Sequence, residues 1–402
     1  MEAVIQPGKL KGKLIIPPSK SFAHRALICA ALAKGRSEIY NCGRSEDINA
    51  TKSCLEALGV RIEEFSDKLI IKGEREKGDV LNCGESGSTL RFMLPVALAS
   101  GGEFIFQGAG RLMSRPLEEY FNIFKSQGIA YELDERRGRL KVSGRLKPGR
   151  FELSGGISSQ YLTGLLLALP SLEGDSELIL NSALQSSGYV DMTKDIQARF
   201  NVKWEEKNGR YYIGGGQRYT PASLACEGDY SQAAFWLAAR RLGCDIILEG
   251  LNENSLQPDK AIVNLVKELP DRIDVSQFPD LVPVLAVLCA LTPGRREIVN
   301  AARLRLKESD RLRAVSALIK SLGGEIEERE DGLAITGVSA FSGGVCESFN
   351  DHRIVMAAAV AAVKAREPVI IRGAQSVNKS YPEFWEHYKS LGGRLECRPD
   401  GC

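Results

Sequence analysis

Six segments of the chain share one pattern of polar and apolar positions: a polar start able to cap a helix, an apolar body, then glycine or proline. They are SKSFAHRALICAALAKG from Ser19, ESGSTLRFMLPVALASG from Glu85, SSQYLTGLLLALP from Ser158, DYSQAAFWLAARRLG from Asp229, DLVPVLAVLCALTPG from Asp280 and NDHRIVMAAAVAAVKA from Asn350. Successive starts lie roughly 50 to 75 residues apart, as repeated supersecondary units do. Each body is apolar nearly all round, which predicts a buried helix. A second segment type alternates with the first: an amphipathic helix that ends near glycine and runs into period-two strands, as in CLEALGVRIEE, IFKSQGIAYELDE, LIKSLGGEIEERE and HYKSLGGRLECR. Hairpins are predicted at DKLIIKG, RGRLKVSG and DGLAITG. Weaker copies lie at 196–213 and 262–275, and the fourth unit reads as lacking its last strand. The predicted unit is apolar helix, strand, amphipathic helix, strand, strand. Six of them make two domains of three, an α/β architecture.

The starts of the apolar helices carry the candidate chemistry. Ser, Asp and Asn there are good N-caps, and capping alone accounts for any single one. Cations also recur just inside: Lys20 and Arg25, Arg91, and Arg353. A cation near the positive end of a helix costs stability, so a series of them predicts an anion at that end. Extra polar groups cluster at Ser158, Ser159 and Gln160, and at Glu85, Ser86 and Ser88. Carboxylates lie close by, at Asp280, Glu308 and Asp310, the last two flanked by Lys307 and Arg311. At helical spacing Lys307 and Arg311 share a face. The pattern predicts a cleft that holds a multiply charged small molecule through phosphate and carboxylate groups.

Composition narrows the partners. The chain has 402 residues, 44% hydrophobic and 26% charged, with a formal net charge of only +2. That balance argues against a long nucleic-acid footprint. No apolar run reaches the roughly 18 residues of a membrane span, and no signal-peptide pattern opens the chain, so the expected home is the cytoplasm. Ten cysteines are scattered without CxxC spacing, and the three histidines (His24, His352, His387) offer no metal set. Neither P-loop nor dinucleotide fingerprint is present.

Nine ordered blocks then carry a resemblance: PSKSFAHRAL, ESGSTLR, GRLMSRPL, ISSQYLTGLL, EGDYSQAAF, FPDLVPVLA, RLKESDRL, FNDHRIVMA and NKSYPEFW. Together they resemble the 5-enolpyruvylshikimate-3-phosphate synthase family nearly end to end. The resemblance implies a two-domain inside-out α/β barrel of six βαβαββ-type repeats with buried parallel helices. It implies a discontinuous domain of residues 1–15 and 227–402, another of 16–226, and an active site in the cleft between them. The implied reaction moves the enolpyruvyl group of phosphoenolpyruvate to the 5-hydroxyl of shikimate 3-phosphate and releases phosphate through a tetrahedral ketal. It implies a monomer without metal or cofactor, and neither nucleic acid nor membrane as partner.

Residue by residue, the resemblance assigns Asp280 as proton acceptor, Glu308 as proton donor and Lys20 as a further catalytic group. Lys20, Ser21, Arg25, Ser158, Ser159, Gln160, Ser186, Tyr189, Asp280 and Lys307 look like binders of shikimate 3-phosphate. Lys20, Gly87, Arg115, Gln160, Arg311, Arg353 and Lys379 look like binders of phosphoenolpyruvate. Glu85, Arg303 and Ser187-Gly188 depart from the usual family pattern, and Gly87 leaves room for the phosphonate of glyphosate. The nearest rival reading is an enolpyruvyl transferase acting on a UDP-linked amino sugar, but GAGRLMSRPLEE lacks that enzyme's loop cysteine. Two others are a non-catalytic repeat-built nucleic-acid-binding module, and an RNA-end phosphate cyclase whose catalytic histidine pattern is not visible.

Overall fold

The computed structural model describes residues 1–73, 78–156 and 158–399; Ile157 of the ISSQYLTGLL block and the last three residues lie outside these. The chain forms two compact units, one of Met1–Pro17 with Gly228–Cys402 and one of Pro18–Glu227.

Each unit is built as the hydrophobic pattern predicts. In the Pro18–Glu227 unit, the buried helices are Lys20–Leu32, Gly87–Ser100 and Ser159–Ala168. In the other they are Tyr230–Arg241, Val282–Ala290 and His352–Ala361. Every residue of Val282–Ala290 is buried. Each fully buried Leu, Ile or Val contributes about 1.5–3 kcal/mol, so these helices are the core. Amphipathic partners such as Glu118–Gln127 and Arg311–Ser321 bury only one face.

Among the described residues five sheets have four strands, a parallel pair extended by two antiparallel strands. One runs Val80–Asn82, Gly102–Gln107, Arg139–Gly144, Ala130–Asp134. Three sheets pair strands distant in sequence. Ser223–Ala225 pairs with Arg36–Tyr40 and closes the first sheet of its unit. Glu2–Ile5 lies between Val369–Arg372 and Leu395–Arg398. The fourth unit departs further from the pattern than expected. Its sheet has two strands, Asp245–Glu249 beside Lys11–Ile15, so the whole hairpin is missing. Arg272–Asp274, inside the weak copy at 262–275, instead opens the next sheet.

Side-chain oxygens cap five of the six helices, at the predicted start for Ser19, Ser158 and Asp229 and one residue past Glu85 and Asn350 for Ser86 and Asp351; they accept from backbone N–H groups at 3.4, 3.3, 3.1, 3.2 and 3.0 Å. The exception is Asp280. It lies inside a 3₁₀ turn, Pro279–Leu281, ahead of helix Val282–Ala290, whose cap position is Leu281. The helical spacing assumed for Lys307 and Arg311 also fails. The helix begins at Arg311 with Asp310 as its cap, so Lys307 and Glu308 precede it.

One contact fixes the core of the Pro18–Glu227 unit. Pro95 lacks the N–H that would bond the Arg91 carbonyl four residues earlier. The Tyr120 hydroxyl takes that carbonyl instead, at 2.6 Å. Gly164 makes this possible: a Cβ there would lie 2.3 Å from the Tyr120 hydroxyl and 2.4 Å from the Arg91 carbonyl oxygen.

Candidate active site

The unit containing Met1–Pro17 brings five predicted residues into one charge network. Arg311, 1% exposed, donates to Asp280 Oδ1 at 2.9 Å and to Glu308 Oε2 at 2.5 Å. It also donates to both oxygens of Asp351, at 2.9 and 3.3 Å. Arg353 donates to Asp280 Oδ2 at 3.1 Å and to the Asp280 carbonyl at 3.3 Å. Lys307 Nζ lies 3.5 Å from Asp280 Oδ1. Asp280, in its 3₁₀ turn, is therefore shared by three cations. Burial works against the Arg311 charge, but Asp351, Glu308 and Asp280 outweigh it and hold the pKa above its ordinary value. Burial pushes Lys307 down to about 8, against the pull of Asp280. Lys379, 6% exposed, donates to the Asn350 carbonyl at 2.6 Å. Phe349 and Asn350 both take left-handed backbone, φ 52° and 56°, just before helix His352–Ala361, a costly conformation that clusters at functional sites.

The Pro18–Glu227 unit assembles its residues differently. Lys20 Nζ pairs with Asp47 Oδ2 at 2.5 Å. Arg25, 3% exposed, is held by neutral oxygens: Thr193 Oγ1 at 2.8 Å, the Ser21 carbonyl at 2.7 Å, the Tyr189 carbonyl at 3.1 Å and Thr163 Oγ1 at 3.3 Å. Its guanidinium also lies 5.1 Å from the Phe92 ring centre and 5.8 Å from that of Tyr189. Burial pushes it down to about 10. Gln160 bridges two helix starts, accepting from Arg91 at 2.8 Å and donating to Ser88 Oγ at 2.9 Å. Gly87 lets Arg115 lie against the start of its helix; a Cβ there would sit 2.5 Å from the Arg115 Nη1. Ser159 and Ser186 are buried, the latter with φ 57°.

The sequence reading missed several partners. Asp47, 27 residues beyond Lys20, opens an amphipathic helix as an ordinary first-turn acid. Thr163 and Thr193 lie inside helices. Asp351 reads as a cap and is one, but it also anchors Arg311. Only the fold reveals these pairings. His24 is buried and held by Thr51 at 2.7 Å; burial lowers its pKa well below the usual value, with Lys20 and Arg25 adding to the effect. Among the described residues no cluster of His, Cys, Asp and Glu could hold a metal ion, and no helix is long and apolar enough to cross a membrane.

The family model described as EPSP synthase (3-phosphoshikimate 1-carboxyvinyltransferase) matches residues 4–273 and 266–388. The chain belongs to this family. The 3-phosphoshikimate 1-carboxyvinyltransferase of Clostridium kluyveri is 46% identical, covering 98% of this chain and 97% of that protein. The protein of the same name from Clostridium novyi is 43% identical over 98% of both. The EPSP synthase structure from Acinetobacter baumannii, 24% identical, superposes with a TM-score of 0.81 over 98% of this chain and all of that one, and the enolpyruvyl transferase NikO from Streptomyces tendae does so at 0.79 with 15% identity. At those identities the two structures speak for the fold.

Proposed function

We propose that this chain transfers the enolpyruvyl group of phosphoenolpyruvate to the 5-hydroxyl of shikimate 3-phosphate and releases phosphate. One observation supports the assignment of chemistry to residues: an Asp280 carboxylate shared by Arg311, Arg353 and Lys307. In this reading Asp280 accepts the 5-hydroxyl proton, and the resulting oxygen attacks C2 of phosphoenolpyruvate. Glu308 delivers the proton that converts the vinyl CH2 to a methyl group. The ketal then returns a methyl proton to the Glu308 carboxylate as the C–O bond to phosphate breaks, and the proton held by Asp280 leaves with the phosphate. Glu308 is bonded to Arg311 here; a bound anion would draw that guanidinium away and let the carboxyl carry the proton it donates. Acid–base help of this kind contributes about 10²–10⁴-fold, and the cations supply charge stabilisation.

Arg311, Arg353, Lys379, Arg115, Gly87, Gln160 and Lys20 would serve phosphoenolpyruvate. Lys20, Ser21, Arg25, Ser158, Ser159, Gln160, Ser186, Tyr189, Asp280 and Lys307 would serve shikimate 3-phosphate. Phosphate release from phosphoenolpyruvate, with and without shikimate 3-phosphate, tests the reaction; Asp280→Ala and Lys20→Ala test the site. Release without the acceptor refutes the reaction. Unchanged turnover in both variants refutes the site. The same reading carries glyphosate inhibition competing with phosphoenolpyruvate, which no inhibition at millimolar levels would refute. It also carries a monomeric cytoplasmic enzyme, and a dimer in sedimentation would correct that.

A further inference from the structure

Behind the Asp280 network lies a carboxylate that the site assignment does not use. Asp259, 1% exposed, sits in the 3₁₀ turn Pro258–Ala261 against helix Tyr230–Arg241. Its Oδ2 accepts from the Ser231 hydroxyl. Ser231 Oγ in turn accepts from Arg353 at 3.3 Å, and Arg353 grips Asp280 on its other side. The Asp259 Oδ1 has no hydrogen-bond partner. We propose that Asp259 is a positioning residue that, through Ser231, sets both the orientation of Arg353 and the charge Arg353 can offer to phosphoenolpyruvate. The proposal rests on Arg353 binding that substrate.

A buried carboxylate oxygen without a donor makes the ionised form expensive, and a proton on Oδ1 removes that cost while leaving the Ser231 bond to Oδ2 intact. The charged groups facing Asp259 are Asp280 from turn Pro279–Leu281, Arg353 from helix His352–Ala361, and Asp229 at the cap of helix Tyr230–Arg241. Burial and the Asp280 charge push it up to about 7, with Arg353 opposing. Its charge therefore changes within the working pH range. Protonated, Asp259 leaves Asp280 as the carboxylate contesting Arg353; ionised, it adds a second negative charge against an incoming anion. Because linkage is reciprocal, phosphoenolpyruvate binding and protonation of Asp259 favour each other.

Asp259→Asn places an amide where the proton would be and keeps an oxygen for Ser231. The KM for phosphoenolpyruvate is measured from pH 6 to 8.5 in both proteins, and their ratio cancels the substrate's own ionisation. The wild-type KM divided by the variant KM should rise about fivefold across that range, with kcat moving less. Ser231→Ala should raise the KM about fivefold throughout. In ligand-free protein labelled with 13C-aspartate, one carboxyl should titrate near neutrality, and phosphoenolpyruvate should shift that titration upward. A flat ratio, an unchanged Ser231→Ala KM, or no such carboxyl overturns the proposal. Arg353→Lys is the control. If it raises the KM tenfold or more while Asp259→Asn gives a flat ratio, the positioning role alone fails. If it leaves the KM unchanged, the assignment of Arg353 fails and the proposal falls with it.

Discussion

Two buried arginines, Arg311 in one unit and Arg25 in the other, are held by opposite means. Arg311 is surrounded by carboxylates, namely Asp280, Glu308 and Asp351. Arg25 is surrounded by hydroxyls, carbonyls and rings, and no carboxylate pairs with it among the described residues. The first arrangement is complete without ligand and surrounds groups suited to moving protons. The second leaves a positive charge, depressed by burial, that an anion would complete. On the proposed function both kinds of cation meet an anion, but Arg311 must trade carboxylate partners to do so, whereas Arg25 has no carboxylate to give up.

The comparison breaks first at Arg311. Arg311→Met leaves Asp351, which is 0% exposed, with the Ser309 hydroxyl and the Arg353 backbone N–H but without its guanidinium partner. Removing one partner of a buried pair costs about 3–5 kcal/mol. Urea unfolding should show that loss; a change below about 1 kcal/mol would mean the carboxylates find other partners. Next is Gly164, whose helix packs by close backbone approach rather than by an ion pair. Gly164→Ala pushes the Tyr120 hydroxyl off the Arg91 carbonyl and should cost about 1–3 kcal/mol. Gln160 lies four residues earlier on the same helix, so the KM for phosphoenolpyruvate should rise as well. An alanine variant with wild-type stability would show that the helices can part without loss.

Arg25→Met sharpens the contrast with Arg311→Met. Thr163 and Thr193 already bond each other at 3.3 Å, so removing the guanidinium leaves them partnered, and the thioether can pack on Phe92. Stability in the ligand-free protein should change by less than about 1 kcal/mol, while the KM for shikimate 3-phosphate rises about tenfold or more. Equal losses of stability in the two Met variants would erase the distinction between the units.

These pairings mark where sequence reading stops. The apolar helices and amphipathic partners were legible because burial writes itself as periodicity: Val282–Ala290 has no polar residue and is buried throughout. Caps were legible because Ser, Asp and Asn have local work to do. Asp280 and Asp229 look alike in sequence, yet only Asp229 caps a helix; the turn after Phe278, φ −136° and ψ 58°, separates them, and nothing in the residue type announces it. The pairing of Arg311 with Asp351 spans 40 residues and that of Arg25 with Thr193 spans 168. Such contacts belong to the assembled fold. The missing hairpin of the fourth unit was half visible for a related reason: RIDV reads as a strand, but its sheet membership is a tertiary choice.

The smallest expected effect tests whether the carboxylate-rich unit also binds through a marginal charge. Lys307 is pushed down to about 8 by burial, with Arg311 and Arg303 adding to the push and Asp280 and Glu308 opposing. A folded-state pKa below the unfolded one means that the cost of the buried ammonium is full below pH 8 and is relieved as pH rises towards about 10.4. Ligand-free stability should therefore climb slightly between pH 8 and 10. Substrate affinity should move the other way, since a neutral Lys307 offers no charge to shikimate 3-phosphate: its KM should rise a few-fold from pH 7.5 to 9. The side chain keeps 23% exposure, so both slopes are shallow. Lys307→Arg keeps its charge throughout this range and should flatten the KM profile. A wild-type profile already flat to pH 9 would place Lys307 outside the binding of that substrate.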